Sequence, residues 1–220
     1  MPLLEVIACT VEDAVSAERG GAGRLEIVRK LELGGLTPPV ALVREMLGAV
    51  SIPVRVMLRE SAGYGVTGEP EVQALIRAAE QFADIGVEGF VLGFLRGRAL
   101  DVPLMARIFR YAPALSATFH RAFEELPDPQ AAVVALKGLP QFDRILTGGS
   151  AEHLRSLARM ASPELEILAG GGLDRKSMRT LRTTTDIREF HVGRAARRDY
   201  AIDKPVDTAQ VRALVDLLAG

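Results

Sequence analysis

The 220 residues carry 27 basic and 28 acidic side chains, a formal net charge of −1, and 48% hydrophobic content. This balance gives no basic face for nucleic acid, while the apolar content suffices for the core of one α/β domain over residues 1–220. Cys9 is the single cysteine, which excludes an internal disulfide and a zinc cage of paired cysteines. No apolar run approaches the roughly 20 residues of a membrane helix. The first apolar run contains Glu5 and lacks a basic leader, so a cytoplasmic protein without a membrane anchor is expected.

One event recurs along the chain: a short apolar strand ends in a polar or glycine-rich cluster, and a helix follows. The predicted strands are Leu3–Cys9, Arg24–Val28, Val54–Arg59, Gly89–Leu92, Leu115–His120, Phe142–Leu146, Leu165–Ala169 and Ile187–Val192. All are short, mostly apolar and bounded by turn residues, as strands buried on both faces should be. Helical spacing marks Val11–Arg19, Val72–Ile85, Pro129–Leu136 and Val206–Leu218. Helix starts are signalled at Thr10, Asp128, Ser150 and Asp174, and stops at Gly20-Gly21, Gly86 and Gly138. Residues 195–206 read as a longer irregular loop. Strict alternation implies right-handed crossovers and a parallel sheet. Eight such units predict a small (β/α)8 TIM-like barrel, with a doubly wound open sheet as the alternative.

In such a barrel the active face is built from the carboxyl ends of the strands and the loops after them. Glu5 and Cys9 share a face of the first strand because side chains alternate. Glu26 stands within the second, Arg59 ends the third, and His120-Arg121 end the fifth. A carboxylate flanked by Leu4 and Val6, or by Leu25 and Ile27, is costly unless it is paired or hydrogen-bonded. Glu5 and Glu26 therefore either form structural ion pairs with Arg24 or Arg55, or line the interior with His120 and Arg59 as acid, base or metal ligand. Gly170-Gly171-Gly172 before Asp174, beside Gly193-Arg194 after the last strand, point to a small anion such as phosphate at a helix start. Arg121 adds a cation, and plain turn chemistry is the competing reading of the glycines. No lysine ends strands four to eight, and no Gly-x-Ser-x-Gly elbow or nucleotide fingerprint occurs.

Several motifs carry a resemblance over most of the chain. These are Leu4-Glu5-Val6-Ile7-Ala8-Cys9, Gly34-Gly35-Leu36-Thr37-Pro38, Phe119-His120-Arg121-Ala122-Phe123, Asp143-Arg144-Ile145-Leu146-Thr147, Gly170-Gly171-Gly172 and Glu189-Phe190-His191. Together they resemble the CutC copper-homeostasis family of single-domain, TIM-barrel-like proteins. The resemblance implies copper binding and delivery in the cytoplasm. The chain departs from the family pattern at Val28, where a cysteine is usual, at Glu60-Ser61 in place of Pro-Arg, and at Glu124 in place of aspartate. Cu(I) prefers sulfur donors, which leaves Cys9 with His120 or His191 as a low-coordinate copper site, or Cys9 as a small buried hydrophobe. One expectation is thus a metal-handling binding protein. The other is an enzyme in which Arg59, Arg121 and the glycine turn hold a small anionic ligand while Glu5, Glu26 or His120 moves a proton. A homodimeric scaffold without chemistry is the third.

Overall fold

The computed structural model describes residues 2–220, and they form a closed barrel of eight parallel strands. The strands are β1 (Leu3–Ala8), β2 (Arg24–Ile27), β3 (Val54–Met57), β4 (Gly89–Leu92), β5 (Ser116–Phe119), β6 (Phe142–Thr147), β7 (Glu166–Ala169) and β8 (Glu189–Val192). Each hydrogen-bonds to the next, and β8 closes on β1. The outer ring is α1 (Val11–Gly20), α2 (Val40–Ala49), α3 (Glu69–Asp84), α4 (Val102–Phe109), α5 (Pro129–Lys137), α6 (Ala151–Ala161), α7 (Arg175–Thr184) and α8 (Thr208–Ala219). A two-stranded hairpin, Leu95–Arg96 with Ala99–Leu100, sits between β4 and α4. No helix among the described residues is long and apolar enough to cross a membrane.

The predicted helix starts are real caps. Thr10, Asp128, Ser150 and Asp174 each accept a backbone N–H of the following turn, an interaction worth about 1 kcal/mol apiece. The alternation of side chains separates two apolar regions. Leu25, Ile27, Val54, Val56 and Phe90 belong to the main core, while Ile7, Val28, Met57 and Val91 form a second cluster. The second set lies in the opposite phase of the strands, which places it inside the barrel.

Four strands end one or two residues before their predicted limits. β1 stops at Ala8, β2 at Ile27, β3 at Met57 and β5 at Phe119, so Cys9, Val28, Arg59 and His120 stand at the barrel mouth. The stretch expected to be irregular forms two 3-10 turns, Arg194–Ala196 and Arg198–Tyr200, with an isolated bridge between Arg197 and Val206. It is fixed as a strap by buried Arg197, which donates to Asp13, the Ile7 carbonyl and the Lys204 carbonyl. Asp13 also accepts the Val206 and Cys9 amides.

Candidate active site

The lower barrel interior is filled by charge. Arg24 Nε donates to Glu5 at 2.5 Å and its Nη2 to Glu189 at 2.6 Å. Arg144 bridges Glu189 and Asp143, and Arg55 donates to Asp143, Glu88 and Thr118. Strand register explains the first of these contacts, because Glu5 lies opposite Arg24 on β2 and opposite His191 on β8. Each buried guanidinium thus has carboxylate partners, which a desolvated charge requires.

One layer higher the pairing stops. Glu5 Oε1 lies 2.7 Å from His191 Nδ1, and His191 Nε2 lies 3.4 Å from Glu26 Oε2. Glu26 Oε1 is buried with no hydrogen-bond partner among the described residues. Glu26 registers with Arg55, yet the Arg55 donors all go to the layer below. Burial pushes the Glu26 carboxyl up to about 7, with His191 pulling against it and Glu5 adding to it. For Glu5, burial is outweighed by Arg24 and by the bond to His191, so its carboxyl is held well below the usual range. His191 is raised: burial works against its charged form, and Glu26 and Glu5 overcome it. The two glutamates therefore divide the roles foreseen for them. Glu5 takes the ion pair with Arg24, and Glu26 faces the pocket.

A cavity of about 530 Å³ opens above this floor, lined by Glu26, His191, His120, Arg59, Arg121 and Tyr64 among others. His120 Nδ1 accepts the Ala122 amide at 3.2 Å, which leaves the proton on Nε2. Burial, then the charge of Arg59, lowers its pKa to about 3, so the ring is a neutral donor. Gly93 is required beneath it, because a Cβ there would come within 2.7 Å of His120 Nδ1. Arg59 lines the cavity, but its guanidinium is held by the carbonyls of Gly34, Ala62 and Gly63 and lies 4.9 Å from the Tyr64 ring centre. Tyr64, which the sequence did not single out, also packs on His120 at 5.2 Å between ring centres.

The expected anion residues divide in the same way. Gly171, Gly172, Gly193, Arg121 and Arg194 line the cavity, while Gly170 is packed under Leu146 and His191. Arg121 is paired with Glu124 at 2.6 Å, and Glu124 in turn accepts the Gly148 amide. The helix start expected to attract an anion is already filled. Asp174 and Ser177 form a reciprocal capping box at α7, so the carboxylate of the chain itself satisfies that N-terminus.

The donors that lie close enough to share a metal ion are Glu5, Glu26 and His191, whose ligand atoms are within 4.8 Å of one another. Neither Cys9 nor His120 belongs to this group. Cys9 packs against the inner apolar cluster with Arg197 Nη2 3.7 Å from its sulfur. Burial pushes its thiol up to about 11, so it is not a thiolate at neutral pH. The three-donor cluster in the barrel thus excludes Cys9 and His120 and includes His191. A set of two carboxylates and an imidazole does not fit Cu(I), which prefers sulfur.

Comparison with known proteins places this barrel among relatives. The chain is 34% identical to a family protein CutC of Xanthomonas campestris, over 98% of each sequence. It is 34% identical to the copper homeostasis protein cutC homolog of Mus musculus, covering 90% of this chain and 75% of that one. The crystal structure of a putative copper homeostasis protein CutC from Streptococcus agalactiae superimposes with a TM-score of 0.80 at 24% identity, over 87% of this chain and 98% of that one. The sequence model of the CutC family matches residues 2–196. The chain belongs to the CutC family.

Proposed function

We propose that the chain serves copper homeostasis, the role in the name of its mouse relative, as a cytoplasmic enzyme whose pocket binds a small anionic molecule and transfers a proton. The observation that carries this reading is the unpartnered, buried Glu26 Oε1 at the cavity floor, beside a histidine already oriented by Glu5. A carboxylate oxygen left without a donor in a low-dielectric site is a poor structural element and an effective base. Glu26 takes the proton from the substrate. His191 shares the charge, and Glu5, kept ionised by Arg24, stabilises the imidazolium. The neutral His120 Nε2–H donates to a substrate oxygen on which charge builds, as a preorganised dipole.

The test has a biological and a chemical part. In cells lacking the gene, the wild type should restore copper tolerance and Glu26→Gln should not, whereas Cys9→Ser should. In D2O, the purified protein should exchange carbon-bound protons of its substrate, found by screening small phosphorylated and carboxylated carbonyl compounds, and Glu26→Gln should stop the exchange. Copper tolerance restored by Glu26→Gln would remove the pocket from the role.

A second reading takes copper itself as the cargo, and the mutual proximity of Glu5, Glu26 and His191 favours it. Their nitrogen and oxygen donors suit Cu(II) better than Cu(I). Competition with chelators, anaerobic for Cu(I) and aerobic for Cu(II), separates the readings. Tight Cu(II) binding lost in Glu26→Gln supports a carrier, and tight Cu(I) binding lost in Cys9→Ser would contradict the donor chemistry derived above.

A further inference from the structure

We propose that the pocket's substrate is an amphipathic anion: a carboxylate or phosphate head held by Gly171, Gly172 and Arg194, joined to an apolar body that lies on the β1–β3 side of the cavity. The inference rests on the acid–base reading of the pocket and adds the class of molecule that the pocket selects.

The two sides of the cavity differ in chemistry. On the β1–β3 side, Ile7, Val28 and Met57 form an apolar patch inside the barrel mouth, separate from the main core, and Leu31 packs against it. Leu33, in the loop after β2, and Ile202, in the strap after β8, also line the cavity, where they stand 43% and 39% exposed. Arg59 contributes no free cation on this side, since backbone carbonyls hold its guanidinium. Apolar side chains left open at the lip of a polar pocket are covered at a gain when an apolar group binds. The strap that carries Ile202 is anchored by the Arg197–Asp13 pair, so this edge is held in place before ligand arrives.

On the β7–β8 side the features are those of an anion cradle. The amides of Gly171 and Gly172 have no acceptor among the described residues. Their φ angles of +81° and +86° favour glycine, and a Cβ on Gly172 would meet nothing within 4 Å, so this backbone faces open space. Arg194 lines the same cavity and has no carboxylate partner among the described residues, whereas Arg121 is neutralised by Glu124. Two amides and one guanidinium match a single carboxylate or phosphate head. A cavity of about 530 Å³ is of the size that encloses a small organic ligand rather than an inorganic ion alone.

Calorimetric titration of the purified protein with matched probes tests this: phenyl phosphate against inorganic phosphate, phenylacetate against acetate, and benzyl alcohol as the body without a head. At least one aromatic anion should bind about tenfold or more tightly than its headgroup alone, and benzyl alcohol should bind far more weakly. The tighter of phenyl phosphate and phenylacetate names the head. Leu33→Ser with Ile202→Ser, both at exposed positions that leave the core untouched, should cost the aromatic anion about tenfold and leave inorganic phosphate unchanged. Arg194→Ala should weaken both anions. Equal affinity for inorganic and phenyl phosphate, no measurable binding of either aromatic anion, or serine variants that bind like the wild type would each overturn the inference. Glu26→Gln keeps the two readings apart, because it should stop proton exchange without abolishing probe binding. Glu26-dependent exchange without a preference for aromatic anions refutes only the substrate class. Aromatic-anion binding with no Glu26-dependent exchange on any bound carbonyl compound refutes the proton-transfer reading.

Discussion

The lower and upper halves of the barrel interior both bury charged side chains, and they treat them oppositely. Below, Arg24, Arg55 and Arg144 meet Glu5, Glu88, Asp143 and Glu189, and each buried cation is matched. Above, Glu26 keeps one oxygen without a partner, and His120 is a neutral ring facing the cavity. Glu5 and Glu26 are almost equally buried, at 0% and 2% exposure, yet their acidities move in opposite directions. Burial alone raises both, and the guanidinium of Arg24 together with the hydrogen bond from His191 to Glu5 is what divides them. Buried charge marks structure where it is matched and chemistry where a partner is withheld.

Breaking the matched half should have the largest effect. Arg24→Met strands Glu5 in the interior and should cost about 3–5 kcal/mol, or prevent folding, read as a fall in the denaturant midpoint. Changing the unmatched half should act with the opposite sign. Because the folded-state pKa of Glu26 lies above its ordinary 4.5, the folded chain binds more protons than the unfolded chain between about 4.5 and 7. Stability from this group therefore declines as pH rises through that window. Glu26→Gln should remove the decline and gain about 1–3 kcal/mol over the wild type at pH 8, with little gain at pH 4.5. Paired denaturation curves at the two pH values check the sign. Asp174→Ala opens the α7 cap and should cost about 1 kcal/mol in the same assay. The smallest effect is expected for Cys9→Ser, within about 1 kcal/mol, since the half-buried thiol packs at the edge of the inner cluster.

Much of this arrangement is legible in the chain. The strand count and the caps at Thr10, Asp128, Ser150 and Asp174 follow from local pattern; alternation puts Glu5 and Glu26 in one phase of their strands but does not say which phase faces inward. The partners do not follow from local pattern, because they come from long-range register. Glu5 and His191 are 186 positions apart and meet only because β8 closes on β1. Arg59 reads as a strand-end cation, and only the fold shows its guanidinium turned to the carbonyls of Gly34, Ala62 and Gly63. The glycines before α7 read as an anion-binding helix start, but the Asp174 carboxylate takes the α7 N-terminus by proximity and leaves the Gly171 and Gly172 amides without an acceptor among the described residues. The strap over residues 195–206 lacks any periodic signal, since a buried arginine and an aspartate 184 positions away hold it.

The central claim is that Glu26 is the carboxylate of the barrel interior that lacks a matching guanidinium. Carbon-13 NMR titration of its side-chain carboxyl, assigned by comparison with Glu26→Gln, tests this most directly. A midpoint near 7 is the predicted result. A midpoint at the ordinary 4.5 would show that Glu26 finds a donor in solution, and would contradict both the division of the barrel interior and the proton transfer assigned to it.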